Sequence, residues 1–326
     1  MRRACPCAWR TRARVRHLVV LAGTIWLCAA HPAVAQDLTP RAYLITPVGS
    51  NAVVLGYSHL EGGLQFDGAV PITGAQADIN LPSASYYHGF GLFGRSANIT
   101  LTVPYGVGSF QGTVADVPRR SDLSGFLDAV ARLSVNLIGG PALEPQEFAR
   151  WQQNVLLGAS LKIVAPTGQY DPMKLINWGT NRWAFKPEIG YSQRFGHWVL
   201  DSYAGVWFFT ENPEYFSYNM YYPGVRSQTE APVGAFEAHL SYDFARRLWV
   251  SLDGNYWWGG ATSINGIQNG ATNQKSSRVG ITASVPLTVH QSIKLSYSDG
   301  AYIRYGGNYR SISLGWQYSW IGWKLR

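Results

Sequence analysis

Short segments in which apolar and polar residues alternate strictly recur along most of this chain. In the last of them, Ile312, Leu314, Trp316, Tyr318 and Trp320 share one face, and serine and glutamine residues share the other. Because successive side chains of a β-strand point to opposite faces, this pattern predicts a strand with one apolar face. Ten segments show it, at 97–105, 127–137, 155–165, 183–192, 198–208, 234–244, 248–258, 279–285, 291–298 and 311–320, and weaker signals at 53–59 and 84–93 bring the predicted total to twelve.

The connections between these segments alternate in length. Long connections are expected at 60–82, 106–121, 166–181, 211–231 and 260–275, and tight turns at Gly94-Arg95, Phe195–His197, Ala245–Arg247 and Thr288–His290. Outer-membrane barrels join their strands by long external loops and short periplasmic turns in this way. The segment Gly139–Arg150 is an exception, which we expect to be a longer periplasmic turn with a short helix. The prediction is an all-β fold: a transmembrane antiparallel up-and-down β-barrel of about 12 strands.

An export signal precedes the alternating segments. Six arginines lie before an apolar run from Leu18 to Ala30, and Ala33-Val34-Ala35 fits a signal-peptidase cleavage site. The run is too short to span a membrane as a helix, so we interpret residues 1–35 as a signal peptide and residues 36–326 as the outer-membrane barrel.

The remaining chain has no second long apolar segment, so only a closed barrel could carry it across a bilayer. A soluble β-sandwich would have a similar composition. The aromatic residues Trp183, Trp198 and Trp258 fall near predicted strand ends. Since Trp is most stable at a membrane–water interface, their placement favours the membrane barrel and localisation in the bacterial outer membrane.

Removal of the signal peptide changes the chemistry of the chain. Cys5, Cys7 and Cys28 all lie within it, which excludes a disulfide framework or a cysteine site in the mature protein. Its six arginines also leave, so that 21 Lys+Arg face 19 Asp+Glu and the net charge falls from +8 to +2. The case for nucleic-acid binding is therefore lost. No His pair or carboxylate cluster has metal-ligand spacing, and we expect neither metal nor cofactor.

The faces opposite the apolar ones are expected to line the lumen. Their charged, polar and aromatic members are Asp128, Arg132, Lys162, Lys186, Glu188, Asp201, Tyr203, Trp207, Glu237, His239, Asp243, Asp253, Asn255, Trp257 and Lys294. Charges of both signs inside a barrel can pair and hold its shape, or they can line a route for polar solutes. The three aromatic residues can stack on a small aromatic solute, or they can simply fill a narrow lumen.

His239-Leu240-Ser241 raises an enzymatic alternative, because a twelve-stranded outer-membrane phospholipase carries a His-x-Ser pair on one strand. The spacing places base and nucleophile on one face. However, Phe236, Leu240 and Phe244 define the lipid face of this strand, so His239 and Ser241 point into the lumen, away from a lipid substrate. We interpret the pair as part of a polar wall and predict no enzymatic activity.

The sequence also resembles a known family, the outer-membrane proteins named for the meta-cleavage pathway of phenol degradation. The resemblance rests on Ala165-Pro166-Thr167-Gly168-Gln169-Tyr170, Asn177, Gly179-Thr180-Asn181-Arg182-Trp183, Phe185-Lys186-Pro187-Glu188, Gly190, Trp207-Phe208-Phe209-Thr210-Glu211-Asn212, Trp257, Gly259-Gly260 and Pro286. It implies an outer-membrane barrel with a role in the uptake of aromatic or other apolar compounds. It implies no catalytic residues.

These observations lead to two functional hypotheses. The first is a porin-like channel or transporter for small, aromatic or hydrophobic molecules, whose partners are outer-membrane lipids, the solute and the barrel assembly machinery. The second is a structural or adhesive surface barrel that acts through its long external loops, because the segment 211–231 carries Tyr215, Phe216, Tyr218, Tyr221 and Tyr222. A lipid hydrolase is a third and weaker reading.

Overall fold

The computed structural model describes residues 38–64, 72–114, 117–220, 222–305 and 307–322. The predicted signal peptide and the last four residues lie outside these ranges. The described elements are β1 (Ser50–Leu64), β2 (Ile72–Leu92), β3 (Arg95–Val114), β4 (Val117–Phe126), β5 (Ala129–Ile138), α1 (Pro145–Phe148), β6 (Val155–Ala165), β7 (Ala184–Phe195), β8 (Trp198–Phe209), β9 (Gln228–Glu230), β10 (Val233–Ala245), β11 (Leu248–Gly259), β12 (Thr262–Ile264), β13 (Ile267–Asn269), β14 (Gln274–Pro286), β15 (Gln291–Tyr302) and β16 (Asn308–Ile321).

The long strands form one closed antiparallel barrel. Around it the order is β1, β16, β15, β14, β11, β10, β8, β7, β6, β5, β3 and β2, and a β1–β2 pairing completes the ring. Strands β4 and β5 pair in succession with β3 and together make one barrel strand, which gives twelve barrel strands. Closure leaves no unpaired sheet edge within a membrane. The predicted fold class is confirmed.

Large apolar side chains cover the outer face at mid-strand. Exposed examples are Leu55, Leu101, Leu133, Leu161, Ile189, Leu240, Leu252, Ile281, Leu295 and Ile312. The strand register places Leu240 opposite Leu252, and Leu252 opposite Ile281, so that these side chains form a continuous band. Such a band is stable against lipid and would be unfavourable in water. The band indicates the bacterial outer membrane as the location of the barrel.

Aromatic rings flank the apolar band at the strand ends. At the short-turn end, the ring centre of Tyr242 lies 4.8 Å from that of Trp198 and 4.9 Å from that of Phe244. At the other end, the rings of Tyr256 and Trp258 are stacked at 5.5 Å. These positions suit amphipathic rings at the two interfaces of a membrane.

The first four strands extend beyond their predicted ends, so the loops expected at 60–82 and 106–121 are largely wrong. Strand β1 continues to Leu64, and β3 and β4 form a hairpin across most of the second segment. On the outer face of this extension the apolar side chains give way to polar ones such as His59 and Asp78, whose Nδ1 and Oδ1 atoms lie 3.7 Å apart. Outside the lipid, a strand needs no apolar outer face, and the alternation that predicts a strand is lost.

The remaining connections have local structure of their own. In the external loops, β9, β12 and β13 form a three-stranded sheet. On the periplasmic side, the segment after β5 carries the short helix that was predicted there, α1. Within the described residues, no helix has the length and hydropathy needed to cross a membrane.

A charge on the lipid face tests this architecture. Leu252 is 63% exposed at the middle of β11, and the variant Leu252→Arg is expected to lose about 2–4 kcal/mol of unfolding free energy in lipid. The measurement is a urea titration of the heat-modifiable band in phospholipid vesicles. The control is Val225→Arg in an exposed external loop, expected to be within about 0.5 kcal/mol of the wild type. Equal effects at the two positions would contradict the assigned lipid face.

Candidate functional site

The N-terminal residues 38–49, here called the plug segment, run inside the barrel. Tyr43 and Ile45 have almost no exposed surface. The backbone N–H of Arg41 donates to Asp201 Oδ2 at 3.2 Å, and that of Ala42 donates to the Tyr203 hydroxyl at 3.0 Å. Sequence reasoning missed this segment, because it has no alternation and lies between the cleavage site and the first strand.

Two glycines of the barrel wall make room for the ring of Tyr43. A Cβ atom added at Gly190 would lie 1.9 Å from Tyr43 Cε2, and one added at Gly158 would lie 2.3 Å from Cδ1. The Tyr43 hydroxyl is 3.0 Å from both Ser160 Oγ and Glu188 Oε1. The wall and the plug segment therefore fit each other at the level of single atoms.

Ion pairs anchor the plug segment at its start. The Arg41 guanidinium contacts Asp243 Oδ1 at 2.7 Å, and Arg194 contacts the other oxygen of the same carboxylate at 2.7 Å. Arg132 donates to the carbonyl oxygen of Ala42 at 3.3 Å and stacks on the Tyr43 ring at 4.8 Å. Asp243 on β10 and Arg132 on β5 thus hold the plug segment by charge as well as by shape, and Arg194 on β7 holds the Asp243 carboxylate.

A chain of buried charges crosses the strands beside the plug segment. Lys186 Nζ lies 2.7 Å from Glu188 Oε2 and 3.0 Å from Glu237 Oε1. His239 Nδ1 lies 2.8 Å from Asp253 Oδ1, and its Nε2 lies 3.5 Å from Glu237 Oε2. Charges buried in alternation compensate one another, whereas removal of one member leaves its neighbour unpaired. Pairing between strands, one of the two predicted uses of these charges, is what the structure contains here.

The His-x-Ser pair lacks the geometry of a base and a nucleophile. Both ring nitrogens of His239 face carboxylates, and its side chain is fully buried. The hydroxyl of Ser241 is also buried and makes no hydrogen bond in the described part of the chain. A substrate has no access to either group, so the arrangement does not resemble an activated nucleophile.

The lumen aromatics act as packing. Tyr203, Trp207 and Trp257 are each at most 2% exposed. Trp207 and Trp257 form a cluster with Val164, Ala184, Val233, Ala235 and Ile303, which fills the outer lumen on the β6–β11 side. All three rings are packed against other side chains of the barrel interior and have almost no exposed surface.

The opposite side of the lumen is open. A cavity of about 1440 Å³ extends from Trp178 in the external loop after β6, past the plug segment, to Asn51 and Ser319 near the periplasmic end. Much of its middle wall carries small hydroxyl side chains, namely Ser85, Thr100, Thr102, Ser298 and Ser311. Small residues on one wall and large ones on the other leave the lumen half filled. Sites for small molecules in proteins have roughly 300–1,000 Å³, so this cavity is large enough for a solute and water.

The predicted lumen residues divide into two groups. Asp128, Arg132, Lys162, Glu188, Tyr203, Trp207, Glu237 and Lys294 border the cavity. Lys186, Asp201, His239, Asp243, Asp253, Asn255 and Trp257 lie on the same inner face of their strands, but the plug segment and neighbouring side chains cover them. Sequence reasoning missed Arg41, Arg278, Phe110 and Trp178 among the cavity residues. Of these, Arg278 could have been identified from the sequence, because it directly precedes the outward residue Val279 in the alternating pattern.

The motif shared with the phenol-pathway family folds the external loop 166–183. Asp128 accepts hydrogen bonds from the backbone N–H of Gly168 and Thr180, both at 2.9 Å, and from the Thr180 hydroxyl at 2.6 Å. A Cβ at Gly168 would lie 2.7 Å from the Cα of Gly179, so the backbones of the two halves of the loop are in direct contact at these glycines. Asn212 donates to Tyr170 and to the carbonyl of Thr180. The motif residues therefore stabilise the structure of the loop over the mouth of the cavity.

A buried ion pair joins this loop to the external sheet. Arg182 contacts Glu230 and lies 4.5 Å above the ring of Phe209. Burial raises the pKa of Glu230, while the charge of Arg182 and a hydrogen bond from Gln274 oppose the shift.

Within the described ranges, no group of three or more His, Cys, Asp or Glu side chains could hold a metal ion.

Comparison with known proteins identifies the family. The family model described as "Putative MetA-pathway of phenol degradation" matches residues 64–314, more than half of the chain. The protein belongs to this family. A search of curated proteins finds no significant match.

The fold of this family member is similar to that of a solved outer membrane channel. The COG4313 outer membrane channel from Pseudomonas putida F1 superposes with a TM-score of 0.69 at 16% identity, over 87% of this chain and all of that one. The β domain of the Bordetella autotransporter BrkA follows with a TM-score of 0.49 at 11% identity, over 83% of this chain and 100% of that one. The transport unit of the autotransporter AIDA-I from Escherichia coli has a TM-score of 0.48 at 10% identity, over 88% and 93%.

The variant Asp128→Ala tests the loop lock. It removes the acceptor of three hydrogen bonds, and one charge-assisted bond alone contributes about 1.5–3 kcal/mol, so the loop is expected to open at least about tenfold more often. Trypsin cleavage after the exposed Lys174, followed by mass spectrometry, reports that opening. Asp122→Ala removes an exposed carboxylate from an exposed ion pair and is expected to leave the cleavage rate unchanged. An unchanged rate in Asp128→Ala would refute the lock.

Proposed function

We propose that this protein is an outer-membrane channel for small molecules and that the lumen cavity is the route. One observation carries the proposal: the cavity is continuous from the external loop residue Trp178 to Asn51 near the periplasmic end. A lumen that only held the barrel together would be filled on both sides, as it is between β6 and β11. The fifteen lumen residues predicted from the sequence would then form its wall in two layers, one in contact with the solute and one behind it.

Transport through this cavity would be selective by size. The plug segment occupies the lumen next to the cavity, so the route runs between Arg41 and Ala42 on one side and the hydroxyl wall on the other. A restricted passage of this kind suits single small solutes better than bulk flow. The family description, which refers to phenol degradation, supports a small aromatic or hydrophobic solute. No step of this function requires a cofactor or an enzymatic group.

Adhesion through the external loops is the second candidate. The loop between β8 and β9 exposes Tyr218, Met220 and Val225, of which Met220 is 88% exposed, and Ile267 lies exposed in the neighbouring loop. Apolar side chains in such positions can form a contact surface. Replacing Tyr218, Met220 and Val225 by serine separates the two functions. Loss of cell-surface binding with unchanged permeability would indicate adhesion. Unchanged cell-surface binding with lost permeability would indicate transport.

Planar-bilayer recording of the purified protein tests the channel. The wild type is expected to show a small, steady conductance, and Gly190→Val a conductance several times larger. A side chain at position 190 collides with the Tyr43 ring, and overpacking typically costs about 1–3 kcal/mol, which the plug segment avoids by leaving its place. Tyr43→Ala removes the same contact without adding bulk to the wall and is expected to act in the same direction.

Gly254→Val is the matched control for this experiment. It adds the same side chain to a glycine of β11. The nearest atom to a Cβ added there is the Ala238 carbonyl oxygen, at 3.9 Å, so the side chain meets no obstacle. The conductance is therefore expected to stay at the wild-type level. If the wild type and both plug variants show no conductance and do not permit vesicle swelling in small sugars or benzyl alcohol, the channel proposal is wrong.

A further inference from the structure

We propose that the cavity binds small carboxylates with an apolar body, such as benzoate or octanoate, and that Lys294 contacts their carboxylate group. The proposal deepens the channel function and rests on it for transport, although binding can be measured without conduction. It follows from three features of the cavity: an excess of cations, a lysine that has no ion pair with the described residues, and an apolar outer end.

Cations outnumber anions along the cavity. The cationic side chains are Arg41, Arg132, Lys162, Arg247, Arg278 and Lys294, and the anionic ones are Asp128, Glu188 and Glu237. Charges that border one cavity add up to a common potential, since the walls have a low dielectric constant and focus the field. The cavity therefore attracts anions and repels cations.

The three carboxylates already have partners. Asp128 accepts the three hydrogen bonds of the external loop. Glu188 contacts Lys186 at 2.7 Å and Arg132 at 3.6 Å, and Glu237 contacts Lys186 at 3.0 Å. Because Lys186 lies behind the cavity surface, its charge offsets these two glutamates from the rear. Each of the three cavity carboxylates thus already has hydrogen-bond or ion-pair partners within the protein.

Lys294 is the cation best placed to meet a solute. It lies on β15 with exposed surface inside the cavity, and no carboxylate of the described chain is within ion-pair distance of its Nζ atom. The nearby Asp253 is occupied by His239, Ser251 and Thr282, at 2.8, 2.8 and 2.6 Å. An ammonium group enclosed by the barrel, with no carboxylate of the described chain in ion-pair contact, is a favourable site for the carboxylate of a solute.

A second cation shares the surroundings of Lys294. The ring of Trp249 has Lys294 Nζ at 5.9 Å and the Arg41 guanidinium at 4.5 Å from its centre. Arg41 is paired with Asp243, and both cations lie close to the same tryptophan ring. An anion bound at this point would relieve the repulsion between the two cations, so binding would also stabilise the plug segment against the wall.

The outer end of the same cavity is apolar. Leu60, Leu64, Ile79, Leu81, Phe110, Ile176 and Trp178 line it. The Trp178 ring packs directly on the backbone at Gly106, where an added Cβ would be 2.6 Å from the ring atom Cζ3. The centre of the ring is 5.8 Å from that of Phe110. A wall of this kind attracts an apolar ring or chain. A solute in transit meets this apolar end first and Lys294 deeper in the lumen, and an apolar body with one negative charge suits both parts of the cavity.

Isothermal titration of the full-length protein in detergent measures binding directly. Benzoate and octanoate are expected to bind more tightly than acetate, which lacks the apolar body, and more tightly than benzyl alcohol and octanol, which lack the charge. Lys294→Gln is expected to weaken benzoate and octanoate binding at least about tenfold, because a charge-assisted contact is lost. It should leave benzyl alcohol unaffected. Lys275→Gln, on the outer side of β14, is the matched control and is expected to change nothing.

Two results would overturn the proposal: equal affinity for benzoate and benzyl alcohol, which would indicate a site for neutral aromatics, or unchanged benzoate affinity in Lys294→Gln. Planar-bilayer recordings in a KCl gradient separate this proposal from the channel itself. A protein that conducts but prefers potassium over chloride would refute the carboxylate-binding site and leave the channel proposal intact. A protein that binds benzoate but does not conduct would refute the channel alone.

Discussion

The structure depends on the requirement that backbone N–H and C=O groups be paired inside the sheet wherever lipid surrounds it, because hydrocarbon offers no hydrogen-bond partner. The β1–β16 pairing, from Ser50–Ile321 to Gly63–Asn308, meets this requirement where the first and last strands join. Closure then dictates the distribution of side chains, with Leu252 and Ile281 outside and Asp253 and Thr282 inside. The interior of a closed sheet of this size is too wide to be filled by wall side chains of ordinary size alone.

The protein fills half of that interior and leaves the other half open. On one side, the plug segment, Trp207 and Trp257 pack with the precision of a soluble core, and Gly158 and Gly190 give up their side chains to admit Tyr43. On the other side, hydroxyl residues such as Ser298 and Ser311 leave the cavity. The charges follow the same division, because the ion pairs around Lys186 are buried on the filled side and Lys294 faces the open one.

The family motif has a structural origin. Gly168, Thr180 and Asn212 hold the external loop in place through Asp128 and through each other, above the point where the cavity opens. A sequence signature usually invites the search for a reactive group, but here it marks the residues that position Trp178 at the cavity mouth. The signature identifies the family and its barrel, and the residues proposed to meet the solute, such as Lys294 and Phe110, lie outside it.

The sequence by itself determined the barrel, because period-two alternation reports directly which side chains meet lipid, and turn lengths report the direction of each strand. It also placed Lys186, Glu237 and His239 on the inner face. It could not show the plug segment, whose fit depends on glycines more than a hundred residues away, nor the extended hairpins, whose outer faces meet water. Only the tertiary structure decided which inner residues are packed and which border a cavity, since that depends on how side chains from opposite walls share one volume.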